Sequence, residues 1–371
     1  MAESKKKVKK KSVDFILLIT TISLVFIGIV MVFSSSWPEA MENHGDGYYF
    51  LKKQLISATI GFISMMLAMN INYHYYKKFA IPIYLLALLS GALIFTPLGV
   101  EIKGATRWLN LGFTTFMPSD AIKLGSIMFF ANFLANKKEK IGTFIQGTIP
   151  ALLIIGLSCI LILEQPDLGT TVTLAATLIA MFFIGGAKLR YLLGMGVGAG
   201  FFLVYAITSE GNEYRMERWT TFLDPFSDKL DSGWQIVQSL YALGSGGIFG
   251  LGLGKSRQKF FYIPEAYNDF IFSIIGEELG LLGTLSVLFL FFILIWRGVV
   301  IALKTEDLFG CYLASGITAL IAIQSLINIA VVTSSIPTTG ITLPFISSGG
   351  TSLLFYMASV GILLNISRYT K

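Results

Sequence analysis

The sequence predicts an all-α integral membrane fold of about ten transmembrane helices, with one large extracytoplasmic loop between helices 7 and 8. Three observations predict it. Hydrophobic residues make up 54% of the 371 residues and charged residues only 13%, about half the share of a soluble domain. Apolar runs of about 20 residues, the length that crosses a bilayer, recur along the whole chain. Basic residues punctuate alternate short loops between these runs.

The expected spans cover 14–34, 54–72, 79–98, 117–135, 145–163, 168–186, 191–208, 270–296, 308–332 and 351–366. The two flanking Glu164 to Asp167 are the least cleanly separated. The chain then divides into a basic tail over 1–13, a polytopic membrane domain over 14–366 and a short tail over 367–371. The first run is too long for a signal-peptide core of 7–15 residues, and no small-residue cleavage motif follows it. It is expected to stay as the first helix.

Orientation follows from the basic residues. Lys5 to Lys7 and Lys9 to Lys11 precede the first span. Lys77, Lys78, Lys137, Lys138, Lys140, Lys188, Arg190, Arg297 and Lys304 fall in alternate loops, and Arg368 and Lys371 in the tail. This positive-inside pattern places both termini on the cytoplasmic side of the membrane. It also accounts for the net charge of +6 and excludes a nucleic-acid partner, because the charges form no continuous patch. Cys159 and Cys311 fall inside apolar runs and imply no disulfide framework. His44 and His74 lie on opposite sides in this topology, which argues against a histidine zinc site.

The connection over 209–269 is far longer than the usual 4–6 residues and is expected to be external and functional. Its stretch Trp234 to Leu253, which contains Gln235, reads as an amphipathic or re-entrant segment. Polar clusters gather at the same membrane boundary: Lys103 to Gly112 with Arg107 and Trp108; Pro118 to Leu124 with Asp120 and Lys123; Glu164 to Thr170 with Gln165 and Asp167; Arg215 and Arg218; and Pro264 to Phe270 running into Glu277 and Glu278.

Asp120 and Lys123 share a helical face. They form either a structural ion pair or a cation facing a polar cavity, since ionisable groups inside spans are paired or functional. Arg107, Arg215 and Arg218 offer planar forks that suit pyrophosphate oxygens; snorkelling is the ordinary alternative. Glu277 either lines the same cavity or packs against a neighbouring helix, and Glu278 reads as a structural partner. Asp269 directly precedes a span, so position alone allows a helix cap or a general base. Gly250 to Ser256 ends like a nucleotide-binding loop but has Phe249 where that motif needs glycine. Gly194, Gly196, Gly198 and Gly200 read as a stripe for close helix packing.

Four segments carry a resemblance: Gln165-Pro166-Asp167-Leu168-Gly169-Thr170, Gln258 to Glu265, Asp269-Phe270-Ile271-Phe272, and Thr339 to Gly350. Over nearly its whole length the chain resembles the SEDS family of shape, elongation, division and sporulation proteins, in its FtsW and SpoVE branch with RodA as a relative. It departs from the family at Tyr267-Asn268, where the family has His-Thr, and at Met117 to Asp120, where it has Gln-Pro-Ser-Glu. The resemblance implies a peptidoglycan glycosyltransferase that polymerises lipid II at the outer face and releases undecaprenyl pyrophosphate, beside a class B penicillin-binding protein that crosslinks the strands. It implies Asp269 as the base. Arg107, Trp108, Asp120, Lys123, Gln165, Asp167, Arg215, Arg218, Gln235 and Glu277 are the candidate substrate-binding residues, and a divalent cation (Mg or Mn) is an optional cofactor. A lipid II flippase and a non-catalytic scaffold are the competing functions.

Overall fold

The computed structural model describes residues 12–102, 105–110, 112, 115–208, 213–226 and 233–370, excepting the side chains of 102, 202, 203, 206 and 213–215. The six N-terminal lysines lie outside these residues. The described chain forms α1 (Phe15–His44), α2 (Tyr49–Asn70), α3 (Tyr73–Lys78), α4 (Ala80–Ala92), strands β1 (Gly99–Ile102), β2 (Ala105–Asn110) and β3 (Thr115–Phe116), then α5 (Pro118–Asn136), α6 (Ile149–Leu163), α7 (Leu168–Ile184), α8 (Leu189–Thr208), α9 (Glu213–Leu223), α10 (Trp234–Ser245), α11 (Ile271–Lys304), α12 (Leu308–Val332) and α13 (Gly350–Ser367).

A helix lies over each of the ten expected apolar stretches. Among the described residues six helices are long and apolar enough to cross a membrane, and two more, over Ala80–Phe95 and Leu168–Ile184, are shorter and apolar. The chain is an integral membrane protein. Its helix starts are locally encoded. Asp14 accepts from the Leu17 amide at 3.0 Å, Asp167 from Thr170 at 3.0 Å and Asp307 from Gly310 at 2.9 Å, each meeting an amide with no partner inside its helix. Pro118 opens α5, where its missing N–H costs nothing. Glu164 to Asp167 does separate two helices, α6 and α7.

Three expectations need correction. The fold is not purely α. The polar stretch after α4 folds into a three-stranded antiparallel sheet in the order β1-β2-β3, short enough that no apolar alternation announces it. α1 runs about three turns past its apolar stretch, to His44. There Glu39 accepts a hydrogen bond from the Tyr267 hydroxyl at 3.0 Å, which ties the helix end to the segment just before α11. Burial, then the nearby Glu39 and Glu265 carboxylates, push the Tyr267 phenol up, so it remains the donor. Finally, a Cβ at Gly194, Gly196, Gly198 or Gly200 would meet nothing within 4 Å. Among the described residues the α8 stripe therefore has no close helix neighbour.

The expected amphipathic stretch forms α10, which buries Ile236, Val237, Ser239 and Ala242 against α11 and α12. After it, residues 247–252 run beside the first turns of α11. Leu251 and Gly252 donate to Glu277 and Glu278 carbonyls, and Leu281 and Leu282 donate back to Gly247 and Ile248. This pairing coincides with a break in α11 at Gly280, at φ 67° and ψ −163°, a conformation open to glycine only. A Cβ at Gly280 would stand 2.3 Å from the Gly250 nitrogen. Gly280→Ala should cost about 1–3 kcal/mol in backbone strain alone, with a steric term added. A thermal melt of the purified protein checks this, and a melting temperature equal to wild type would show that the break needs no glycine.

Candidate functional site

Between α12 and α13 the chain leaves the helix and runs as irregular backbone from Thr333 to Gly349. Ile341 and Leu343 through Ser347 are buried. Buried backbone groups need partners, and here side chains of α12, a serine of the segment itself and the backbone before α11 supply them. Asn328 Nδ2 donates to the Ile341 carbonyl at 2.7 Å and also to the Asp269 carbonyl at 2.7 Å. Gln324 Nε2 donates to the Thr342 carbonyl at 3.0 Å. Ser347 Oγ accepts from the Leu343 amide at 2.8 Å and donates to the Asn268 carbonyl at 2.6 Å. The Ser348 amide donates to the Tyr267 carbonyl at 3.0 Å. Gly28 of α1 lets the Phe345 and Ile346 backbone approach to where a Cβ would lie 2.6 Å from the Phe345 carbonyl oxygen.

This segment gathers several of the expected residues. Asp269 is half-buried and its Oδ2 lies 4.0 Å from where a Cβ on Gly340 would stand. Gly340 is exposed and has φ 68°. The cap position of α11 is Phe270, and no side chain caps that helix start; Asp269 stands one residue earlier. Arg218, on the exposed α9, donates to the Thr338 carbonyl at 3.2 Å, two residues before Gly340. Gly169 packs against Thr339, with room for no Cβ, so the turn after α6 touches the same loop. Gln165 and Asp167 are buried in that turn.

Arg107 reaches the turn from the sheet. Val100 pairs with Trp108 and Glu101 with Thr106, which leaves Arg107 as the unpaired residue of a bulge. Bulges re-aim a side chain, and Arg107 donates from Nε to the Gln165 carbonyl at 3.2 Å and from Nη2 to the Pro166 carbonyl. Trp108 is half-buried on the same strand. The Arg215 side chain lies outside the described residues. Gln235 Nε2 donates to the Pro264 carbonyl at 3.4 Å, and Trp234 Nε1 to Tyr262 at 2.6 Å. Both bonds pin the loop between α10 and α11.

Two expected residues sit in closed networks. Lys123 Nζ meets Asp120 Oδ1 at 2.9 Å, Gln324 Oε1 at 3.2 Å and the Tyr356 hydroxyl at 3.2 Å. Its three N–H groups thus have three acceptors. Asp120 Oδ2 accepts from Ser352 at 2.6 Å. The void lined by Ser347, Ser352 and Tyr356 measures about 10 Å3, the lower limit for one water. In this conformation Lys123 is an internal tie between α5, α12 and α13, not a cation facing a polar cavity. Glu277 is 1% exposed. It accepts from the Ser256 hydroxyl, the Arg257 amide at 2.8 Å and the Gln258 amide at 3.4 Å. The end of the loop that resembles a phosphate-binding motif, with the two residues after it, closes on this carboxylate of its own chain. Beside it, Glu278 pairs with Lys259 at 2.9 Å and accepts from Ser34 of α1.

Sequence reasoning passed over Asn328, Gln324, Lys259 and the role of Thr338 to Ser352. Gln324 and Asn328 carried a usable signal: two amides four residues apart on one face of an apolar span.

The chain matches the family described as "Cell cycle protein", which covers FtsW, RodA and SpoVE, over residues 15–371. The chain belongs to this family. It is 43% identical to the protein named "Probable peptidoglycan glycosyltransferase FtsW" of Geobacter sp. (strain M18), over 95% of this chain and 96% of that one. It is 44% identical to "Stage V sporulation protein E" of Bacillus subtilis (strain 168), over 98% and 99%. Among solved structures, one described as "Structural coordination of polymerization and crosslinking by a peptidoglycan synthase complex" matches with TM-score 0.78 and 27% identity, covering 97% of this chain and 99% of that one. The crystal structure of the Thermus thermophilus rod shape determining protein RodA matches with TM-score 0.71 and 25% identity, covering 96% and 97%.

The Asp120–Lys123 pair yields a stability prediction. Both side chains are almost fully buried, so removing one strands the other, at a cost of about 3–5 kcal/mol. Lys123→Met alone should lower the melting temperature sharply. Asp120→Leu/Lys123→Met should recover most of it, as measured by thermal unfolding of the four proteins of the double-mutant cycle. Equal losses in the single and double variants would exclude a stranded charge.

Proposed function

We propose that this family member is a peptidoglycan glycosyltransferase that polymerises lipid II at the outer face of the bacterial cytoplasmic membrane. It releases undecaprenyl pyrophosphate and works beside a class B penicillin-binding protein transpeptidase. The relatives named as peptidoglycan glycosyltransferases, and the similarity to a peptidoglycan synthase complex, support the activity and the partner. The observation that carries the mechanism is Asp269. It is a half-buried carboxylate with its backbone clamped by Asn328 and its side chain beside the exposed Gly340 loop, on which Arg218 also sits.

In the proposed reaction the acceptor sugar hydroxyl attacks the anomeric carbon of the donor. The bond from that carbon to the pyrophosphate oxygen breaks, and Asp269 takes the hydroxyl proton. An α-linked donor becomes a β-linked product by a single inversion, so one carboxylate base suffices and no protein nucleophile is needed. Arg218, with Arg215 from the same helix, supplies positive charge for the departing pyrophosphate. Arg107 acts at the adjoining turn, where its remaining N–H groups extend that field. Lys123 and Asp120 act from beneath, through Gln324 and Ser352, by holding the segment that presents Gly340. Among the described residues no three His, Cys, Asp or Glu side chains gather to hold an ion. No step above uses the optional Mg or Mn.

We read both termini as cytoplasmic, ten helices as crossing, and residues 209–269 as external. In a background with Cys159 and Cys311 replaced by Ser, Thr220→Cys is expected to label with an impermeant thiol reagent in intact cells, and Lys304→Cys only after lysis. Labelling of both in intact cells would overturn this orientation.

Asp269→Asn tests the base. The change keeps size and hydrogen bonding but cannot take a proton. The purified variant, folded and bound to its partner, is expected to lose glycan polymerisation of labelled lipid II by about 10²-fold or more. Near wild-type polymer would refute the assignment. Polymer formation by the wild-type protein also separates this reading from a lipid II flippase and from a non-catalytic scaffold, neither of which makes glycan.

A further inference from the structure

At the end of α11 remote from Asp269, a cavity opens between the start of α1, the last turns of α11 and the end of α13. It encloses about 200 Å3, and its polar lining is Ser12, Asp14, Arg297, Lys304, Ser367 and Thr370. Asp14 is 5% exposed and engages Nε and Nη2 of Arg297, with Nε at 2.9 Å. Its own amide donates to Ser367 Oγ at 3.1 Å. The pair fixes the plane of the guanidinium and leaves its Nη1 edge without a partner among the described residues. Lys304, exposed in the last turn of α11, also has none among them.

Charge and surroundings narrow the ligand. The Asp14–Arg297 pair is neutral overall, so Lys304 leaves the cavity positive, and Lys5 to Lys7 and Lys9 to Lys11 enter the chain just before Ser12. The helix ends do not favour an anion on balance: the start of α1 attracts one, and the ends of α11 and α13 disfavour one. The side chains therefore decide. Trp296, Val299 and Leu303 form the adjoining stripe of α11 and are exposed, where in a bilayer they meet acyl chains. A volume of about 200 Å3 is smaller than the roughly 300–1,000 Å3 of sites that enclose a whole small ligand. It suits a headgroup whose apolar remainder lies outside, along that stripe.

We propose that this cavity binds the phosphodiester headgroup of an anionic phospholipid of the cytoplasmic leaflet. Lys304 and the free edge of Arg297 face the phosphate, and the hydroxyls of Ser12, Ser367 and Thr370 complete its hydrogen bonds. Basic pockets between transmembrane helices on this side are where such headgroups bind. The inference rests on the orientation proposed above and is independent of the glycosyl-transfer chemistry.

The test uses the full chain, purified and stripped of lipid. It is titrated with phosphatidylglycerol and with phosphatidylcholine of the same acyl chains, and bound lipid is counted by native mass spectrometry. Lys304→Gln is expected to weaken phosphatidylglycerol binding about fivefold. Asp14→Asn/Arg297→Gln removes both members of the pair, so no buried charge is stranded, and is expected to weaken it further. Phosphatidylcholine binding should not change. Equal phosphatidylglycerol binding by wild type and both variants overturns the site. Displacement of the lipid by inorganic phosphate at the same concentrations overturns the lipid assignment in favour of a soluble phosphate. Lipid counting in detergent does not depend on sidedness, so external labelling of Thr370→Cys would overturn the orientation, and with it the leaflet, separately from the site.

Discussion

A backbone that leaves the helix inside a helical bundle loses the i to i−4 partners of its amides and carbonyls, and in a membrane there is no bulk water to replace them. The buried stretch between α12 and α13 imposes that constraint, and much of the surrounding structure is an answer to it. Asn328, Gln324 and Ser347 each place a side-chain hydrogen bond on this stretch or its neighbour. The same atoms reach outward to Asp269 and Asn268. The backbone carrying the candidate base is therefore set by the same bonds that make the irregular segment tolerable. Gly28 and Gly169 let α1 and α7 approach that segment, so they meet it alongside α12.

The first part of α11 meets a comparable constraint with charge. Breaking a helix at Gly280 exposes polar backbone, and the 247–252 stretch pairs with it. Two adjacent carboxylates then organise the loop that follows. Glu277 is wrapped by amides and a hydroxyl, whereas Glu278 is matched by the buried ammonium of Lys259. Buried charges persist only when paired or well hydrogen-bonded, and both are. The resemblance of Gly250 to Ser256 to a phosphate cradle ends at Ser256: its hydroxyl and the two amides just past the motif, Arg257 and Gln258, close on Glu277.

Much of the fold was legible in the sequence because the signals are local. A run of about 20 apolar residues commits to a helix by composition alone, whereas the helix caps Asp14, Asp167 and Asp307 went unread and the cap weighed at Asp269 is not formed. The three-stranded sheet was not legible, since its strands are short and half-buried. The α1 extension was missed because a contact 228 residues away, from Tyr267 to Glu39, holds it.

The candidate site divides in the same way. Charge chemistry and boundary position marked Asp269, Arg107, Arg218, Asp120 and Lys123 from the sequence. Which of them share a surface is a matter of distance between segments far apart in the chain. Lys123 and Glu277 have the residue types of a binding site, yet lie in closed networks made with α12, α13 and the 256–258 loop. Asn328 and Gln324 read as two polar residues in an apolar run until Asp269 and the Thr338 to Ser352 segment are folded against them. By itself the sequence determined the membrane helices and the kinds of charge available, because these depend on neighbours within a few residues. The tertiary structure alone decided which charges lie in buried networks and which stand beside Gly340, because that depends on which buried backbone groups had to be satisfied.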